Sequence, residues 1–275
     1  MAELLQLKPQ DYTITWLCAL PKSELVAATM MLDERHEELR LNPQDKNIYT
    51  YGSINGHNVV LACLPPGQPN KLSGLKLVQP LRQSFPNLRI HLFVGIGGGV
   101  PRDPPPEDPR LDIHLGDVAV GWAEKIGDPG VMQWDYVRYH GQDKVKSLGS
   151  LNKPDWQLMA ALGSMLRDRE MGEKPFYTHL TGLNERTSKF AHPGQDNDRL
   201  FRWTYTHVDN DIHSIPCHKC NPSQLAKRSP RTTLEPVFHQ GTIASGDSVM
   251  QNAERRDVIS RRFHNAICSI WRRLE

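Results

Sequence analysis

At 275 residues the chain can bury one large core or two small ones. Hydrophobic residues make up 38% and charged residues 23%, as in a globular protein rich in loops, and a formal charge of +2 is too mild for a nucleic-acid binder. No apolar run nears the ~18 residues of a membrane span, MAELLQLKPQ lacks a signal-peptide pattern, and five cysteines argue against a disulfide framework, so a cytoplasmic protein without membrane or nucleic-acid partner is expected.

Tyr12–Leu20 (YTITWLCAL), rich in β-branched and aromatic residues, reads as a first buried strand. Pro21 opens a helix to about Glu34, with Leu25, Val26, Met30 and Met31 at roughly helical spacing. Ile48–Ile54 and Asn58–Leu64 flank Asn55-Gly56, a dipeptide favoured in tight hairpins. A helix over Leu72–Phe85 stops at Pro86-Asn87, ahead of a strand over Leu88–Val94. Past a proline-rich loop, Gly116–Trp122 is another strand and Trp156–Met171 a helix. Residues 172–236 are long, polar and weakly periodic, and read as an irregular insertion with some helix near Asp196–Trp203. Val237–Ser245 returns to strand and Asn252–Arg273 to a basic helix with a solvated face. Strand–helix alternation predicts an α/β sheet covered on both faces.

The strand over Leu88–Val94 opens onto Gly95, Gly97, Gly98 and Gly99. Glycines at a strand end let bare backbone approach a ligand, and successive N–H groups there can form a concave nest for phosphate or sugar oxygens. A plain turn after a buried strand is the simpler alternative. The dinucleotide fingerprint G-x-G-x-x-G does not fit, because Val100 holds its last glycine position and prolines stand where a helix should begin. The acid that this fingerprint expects about 20 positions on would be Asp117, which instead begins a strand.

Five segments carry a family resemblance: Trp16–His36, Gly56–Gln68, Ser84–Pro101, Leu115–Val120 and His239–Met250. In this order and spacing they resemble the nucleoside phosphorylase/nucleosidase superfamily. The likeness is closest to its fungal branch, whose domains often stand at the N-terminus of larger signalling proteins. The resemblance implies a single domain over residues 1–275, a three-layer α/β/α sandwich around a mixed, partly barrel-like sheet. It also implies a homo-oligomer and cleavage of the N-glycosidic bond of a purine nucleoside or nucleotide. Phosphate or water is the nucleophile and no resident cofactor is used. Such chemistry passes through an oxocarbenium-like sugar and needs an oriented nucleophile, support for the cation and an acid for the departing base.

By resemblance, Gly97, Gly98 and Gly99 contact sugar and phosphate, Val249 and Met250 line the base pocket, and Ser245 joins the substrate- or phosphate-binding set. Glu24, an imperfect match in local spacing, is the candidate for orienting water; a helix-start glutamate favourable to the dipole is the alternative. Asp247 is the one acid of the second motif, either a catalytic group or a turn carboxylate that caps the next helix. Cys217 and Cys220, with His207 and His213 upstream, are half of a zinc-type ligand set or else free thiols.

The resemblance stops at Cys268. The family's strand there carries a Met-Glu-acidic signature that grips ribose, and a later strand supplies the acid that protonates the purine; Ser269–Glu275 does not match. A truncated chain or a degenerate, non-catalytic relative with a nucleoside-binding or signalling role would look the same, lacking the last strand and helices.

Overall fold

The computed structural model describes residues 7–67, 71–122, 128–139, 145–151, 154–173, 177–192, 194–206, 208, 219–247, 250, 252–263 and 265–270. The expected mixed α/β make-up is observed, arranged in two compact units.

The first unit is built on the residues up to Ile96 and on Asp155–Phe190. It contains β1 (Ile14–Cys18), α1 (Val26–Met30), β2 (Glu34–Arg35), β3 (Tyr49–Ile54), β4 (His57–Cys63), α2 (Lys71–Ser84), β5 (Ile90–Phe93), α3 (Trp156–Glu170) and α4 (Tyr177–Arg186). The sheet runs β2-β3-β4-β1-β5, with β1 parallel to both β4 and β5. Asn55 and Gly56 take φ of 48° and 77°, the pair of positive values that a two-residue hairpin of matching twist requires.

Strand alternation splits the core of this unit into two layers. Val60 and Ala62 point to a cluster with Tyr12, Leu77, Leu81 and Phe85, which brings in α2; Val59 and Leu61 point the other way, to Ala28 of α1 and Leu32. The helix expected to reach Glu34 ends at Met30, because Asp33 N and Glu34 turn to pair with Ser53 of β3.

The second unit is built on Gly97–Pro154 and Ala191–Trp271. Its strands are β6 (Gly97–Gly99), β7 (Val118–Gly121), β8 (Val131–Gln133), β9 (Val137–Tyr139), β10 (Val145–Ser147), β11 (Ser150–Leu151), β12 (Phe238–Gly241), β13 (Ile243–Ser245) and β14 (Cys268–Ile270), with one helix, α5 (Ala253–Arg262). The main sheet runs β11-β8-β13-β14-β6; β12 pairs with β7, and β9 with β10. Among the described residues no sheet closes into a barrel. Met132, Ala244, Ile259, Phe263 and Ala266 form the core under α5.

Four expectations need correction here. The run Val237–Ser245 is two strands, broken at Thr242, whose hydroxyl donates to Pro129 O at 2.9 Å. The basic helix expected to reach Arg273 stops at Arg262, and after Asn265 (φ 51°) the chain becomes β14. Helix near Asp196–Trp203 amounts to one 3-10 turn, Gln195–Asn197, whereas α4 lies inside the stretch read as irregular. The glycine segment is extended, not an open turn, because β14 pairs with it. Among the described residues no helix is long and apolar enough to cross a membrane.

Candidate functional site

Glu24 is buried where β1 ends. Pro21–Leu25 forms a π-turn, closed by Leu25 N donating to Leu20 O at 3.1 Å, and a π-turn absorbs one residue more than an α-turn does. The turn carries the carboxylate back over the strand end, where Oε2 accepts from Ala19 N (2.6 Å) and Leu20 N (3.0 Å). Oε1 accepts from Ile96 N at 2.8 Å, which ties the end of β1 to the segment after β5. Among the described residues three donors thus reach its roughly four lone-pair positions. Gly95 has a direct reason to be glycine, since a Cβ there would stand 2.9 Å from Glu24 Oε1.

In the second unit the two glycine motifs meet across one strand. Ile270 of β14 is in register with Gly97 of β6 on one side and Ser245 of β13 on the other. With strands ~4.8 Å apart, Gly97 and Ser245 lie roughly 10 Å from each other. Ser245 and Ile270 are the carboxyl ends of parallel strands, the end at which ligands of open α/β sheets collect. β6 is the edge of its sheet, so its backbone N–H groups alternate between β14 and the open side. Packing explains two of the glycines: a Cβ on Gly97 would meet Cys268 Sγ at 2.6 Å, and one on Gly99 would meet Ile113 Cγ2 at 2.8 Å. Burial pushes the Cys268 thiol up to about 11, so it stays protonated and is no nucleophile.

Met250 packs on the core under α5, beside a nook of about 10 Å³ lined with Val100, Trp134, Ala244 and Ser269. That is the room of a single water, so a purine base is admitted only if Met250 swings aside. Asp247 is exposed, with its N–H donating to Asp135 Oδ2 at 2.7 Å. It does not cap the next helix: Asn252 does, with Oδ1 accepting from Arg255 N at 2.8 Å. Val249, Cys217, His207 and His213 lie outside the described residues; Cys220 is buried. Among the described residues no three metal-type ligands gather.

A buried ion network in the same unit has no local signal in the sequence. The Asp117 side chain, 1% exposed, accepts from Arg231 Nη2 (2.6 Å), His239 Nε2 (2.8 Å), Val237 N (2.9 Å) and His114 N (2.8 Å). Burial alone would raise its carboxyl, but the hydrogen bonds from His239 and Arg231 outweigh that and hold it well below the usual carboxylate range. Asp198 takes His114 Nδ1 at 2.6 Å and Arg228 Nη2 at 2.8 Å, and Arg228 also reaches Asp112. These bonds fasten the 191–236 segment to the loop over 108–118. They are structural ties, and no local spacing announces partners more than 80 positions apart.

No family model matches the chain. It is 33% identical over 254 residues to a nucleotide-binding leucine-rich repeat (NLR)-like protein of Hyaloscypha variabilis. The match covers 91% of this chain and 24% of that protein, so the chain spans about a quarter of the relative's length. Among solved structures, it is similar to MTAN from Helicobacter pylori, a mutant with 5′-methylthioadenosine in the active site (TM-score 0.50, 14% identity, 94% of this chain and 75% of that one). A 5′-methylthioadenosine/S-adenosylhomocysteine nucleosidase from Neisseria meningitidis, in complex with methylthio-immucillin-A, matches with the same TM-score, identity and coverage.

Proposed function

We propose that this chain, which has the fold of the nucleoside phosphorylase/nucleosidase superfamily, binds a purine nucleoside or nucleotide at the row Gly97–Ile270–Ser245 and cleaves its N-glycosidic bond. The observation that carries this reading is the convergence of both glycine motifs on the carboxyl ends of β13 and β14. Outward N–H groups of β6 suit sugar or phosphate oxygens, and the Met250 side of the row suits the flat face of a base. By the resemblance, Glu24 is the residue that would orient an attacking water; phosphate is the alternative nucleophile. The 5′-methylthioadenosine and methylthio-immucillin-A of the two similar structures make purine nucleosides the first substrates to try.

The experiment is release of free base from adenosine, inosine and ATP, each with and without phosphate. Release that needs phosphate means phosphorolysis, and release without it means hydrolysis. No free base from any of the three would refute cleavage.

A second reading, a signalling module that binds without turnover, is favoured by the NLR-like relative and by Ser269 and Ile270 standing in β14 where the family signature would be. Calorimetry with the same compounds separates the two: heat of binding without base release selects the module.

A further inference from the structure

We propose that a groove around Trp203, in the second unit, binds the phosphate groups of a nucleotide with the base ring laid on the indole. The cavity is about 300 Å³, the size for a small molecule and too small for the surface of a folded partner. Its wall brings Arg102, Arg202, Lys227 and Arg256 together against Asp103 and Asp257. Arg256 is spent on its neighbour, with Nε donating to Asp257 Oδ1 at 2.8 Å, which cancels one charge of each sign. That leaves three exposed cations against Asp103, and among the described residues none of the three has an acidic partner. Uncompensated positive charge in a concavity concentrates the field and draws a multiply charged anion.

The aromatic part is held as firmly as the charges. Trp203 is 46% exposed at this wall, and an indole left beside water is a ready stacking surface for a planar ring. Behind it Phe201 is buried and stacks on Tyr205 at 5.4 Å between centroids. Phe201 bridges to Leu225, Arg202 N donates to Gln224 O (3.0 Å) and Ala226 N donates to Leu200 O (2.8 Å). The two segments are thus bonded side by side, which holds Arg202 and Lys227 in one wall. Stacking reads the face of a ring and not its edge, so this groove accepts purine and pyrimidine nucleotides alike. This sets it apart from the row at β6, and the inference stands whether or not that row cleaves anything.

Titration calorimetry on the 275-residue chain with ATP, UTP, adenosine and inorganic triphosphate tests it. The part of ATP and UTP binding that depends on Arg202 and Lys227 should agree within about threefold, and adenosine, which lacks phosphate, should bind the double variant Arg202→Gln/Lys227→Gln as it binds wild type. The ATP affinity should drop steeply as salt is added. The double variant Arg202→Gln/Lys227→Gln changes only exposed side chains and should weaken ATP and triphosphate about tenfold or more. Trp203→Leu should weaken ATP and spare inorganic triphosphate. Wild-type ATP affinity in the double variant would overturn the groove. Triphosphate binding as tight as ATP would overturn the stacking half. If base release fails while ATP binding remains sensitive to Arg202→Gln/Lys227→Gln, the groove stands and the cleavage reading falls.

Discussion

A methyl group at Gly97 would sit 2.6 Å from Cys268 Sγ, closer than any Cβ contact tolerates. Gly97→Ala should therefore cost about 1–3 kcal/mol, the usual penalty of overpacking. Part of that loss should return in a Cys268→Ala background, because the clashing sulfur is gone. Denaturant melts of the two single variants and the double variant give the coupling; strictly additive effects would mean that β6 and β14 do not meet as described. The resemblance singled out Gly97–Gly99 for the ligand, but Gly97 and Gly99 also answer to Cys268 and Ile113, and sequence alone cannot divide those two demands. Glu24 was legible as a residue of interest. Its contact with Ile96 was not, because it closes a loop of 72 positions.

At the level of elements, local chemistry was the part that could be read. Asn55-Gly56 specified its hairpin, and the run from Leu72 specified α2, since both signals lie within one turn or one helix. Element ends were lost wherever a distant strand decided them. Ser53 pulled Glu34 out of α1's continuation, and β13 with β6 claimed Cys268–Ile270 from an expected helix. Two substitutions probe the packing that sets these elements. Leu81→Ala empties a fully buried site between α2 and the sheet and should cost about 2–5 kcal/mol. Asn252→Ala removes the cap of α5 and should cost about 1 kcal/mol. Chemical denaturation checks both, and the ranking matters: a larger loss at Asn252 than at Leu81 would contradict the placement of Leu81 in the core.

For the molecule as a whole, the buried network makes stability depend on pH with a definite sign. Burial and the charge of Arg228 lower His114 below its ordinary value, against the opposing hydrogen bond to Asp198. Burial alone would raise Asp198, but the charge of Arg228 and the bond from His114 bring it down, and Asp117 is lowered likewise. At a given pH each group holds fewer protons folded than unfolded, so stability rises with pH across its titration. On acidification the first loss should come as unfolded histidine charges near ~6.5, and a larger one as unfolded carboxylates take protons near ~4. Thermal melts from neutral to acid pH should show Tm falling through both windows; a Tm that rises on acidification would contradict the network.

Free purine released from adenosine or ATP, measured by chromatography for wild type and Glu24→Gln side by side, decides whether this chain cleaves the glycosidic bond. Wild type should release base. Glu24→Gln should release it about 10²–10⁴-fold more slowly, with a melting curve showing that the variant is still folded. Equal release by both proteins would remove Glu24 from the chemistry, and no release by a folded wild type would contradict cleavage by this chain.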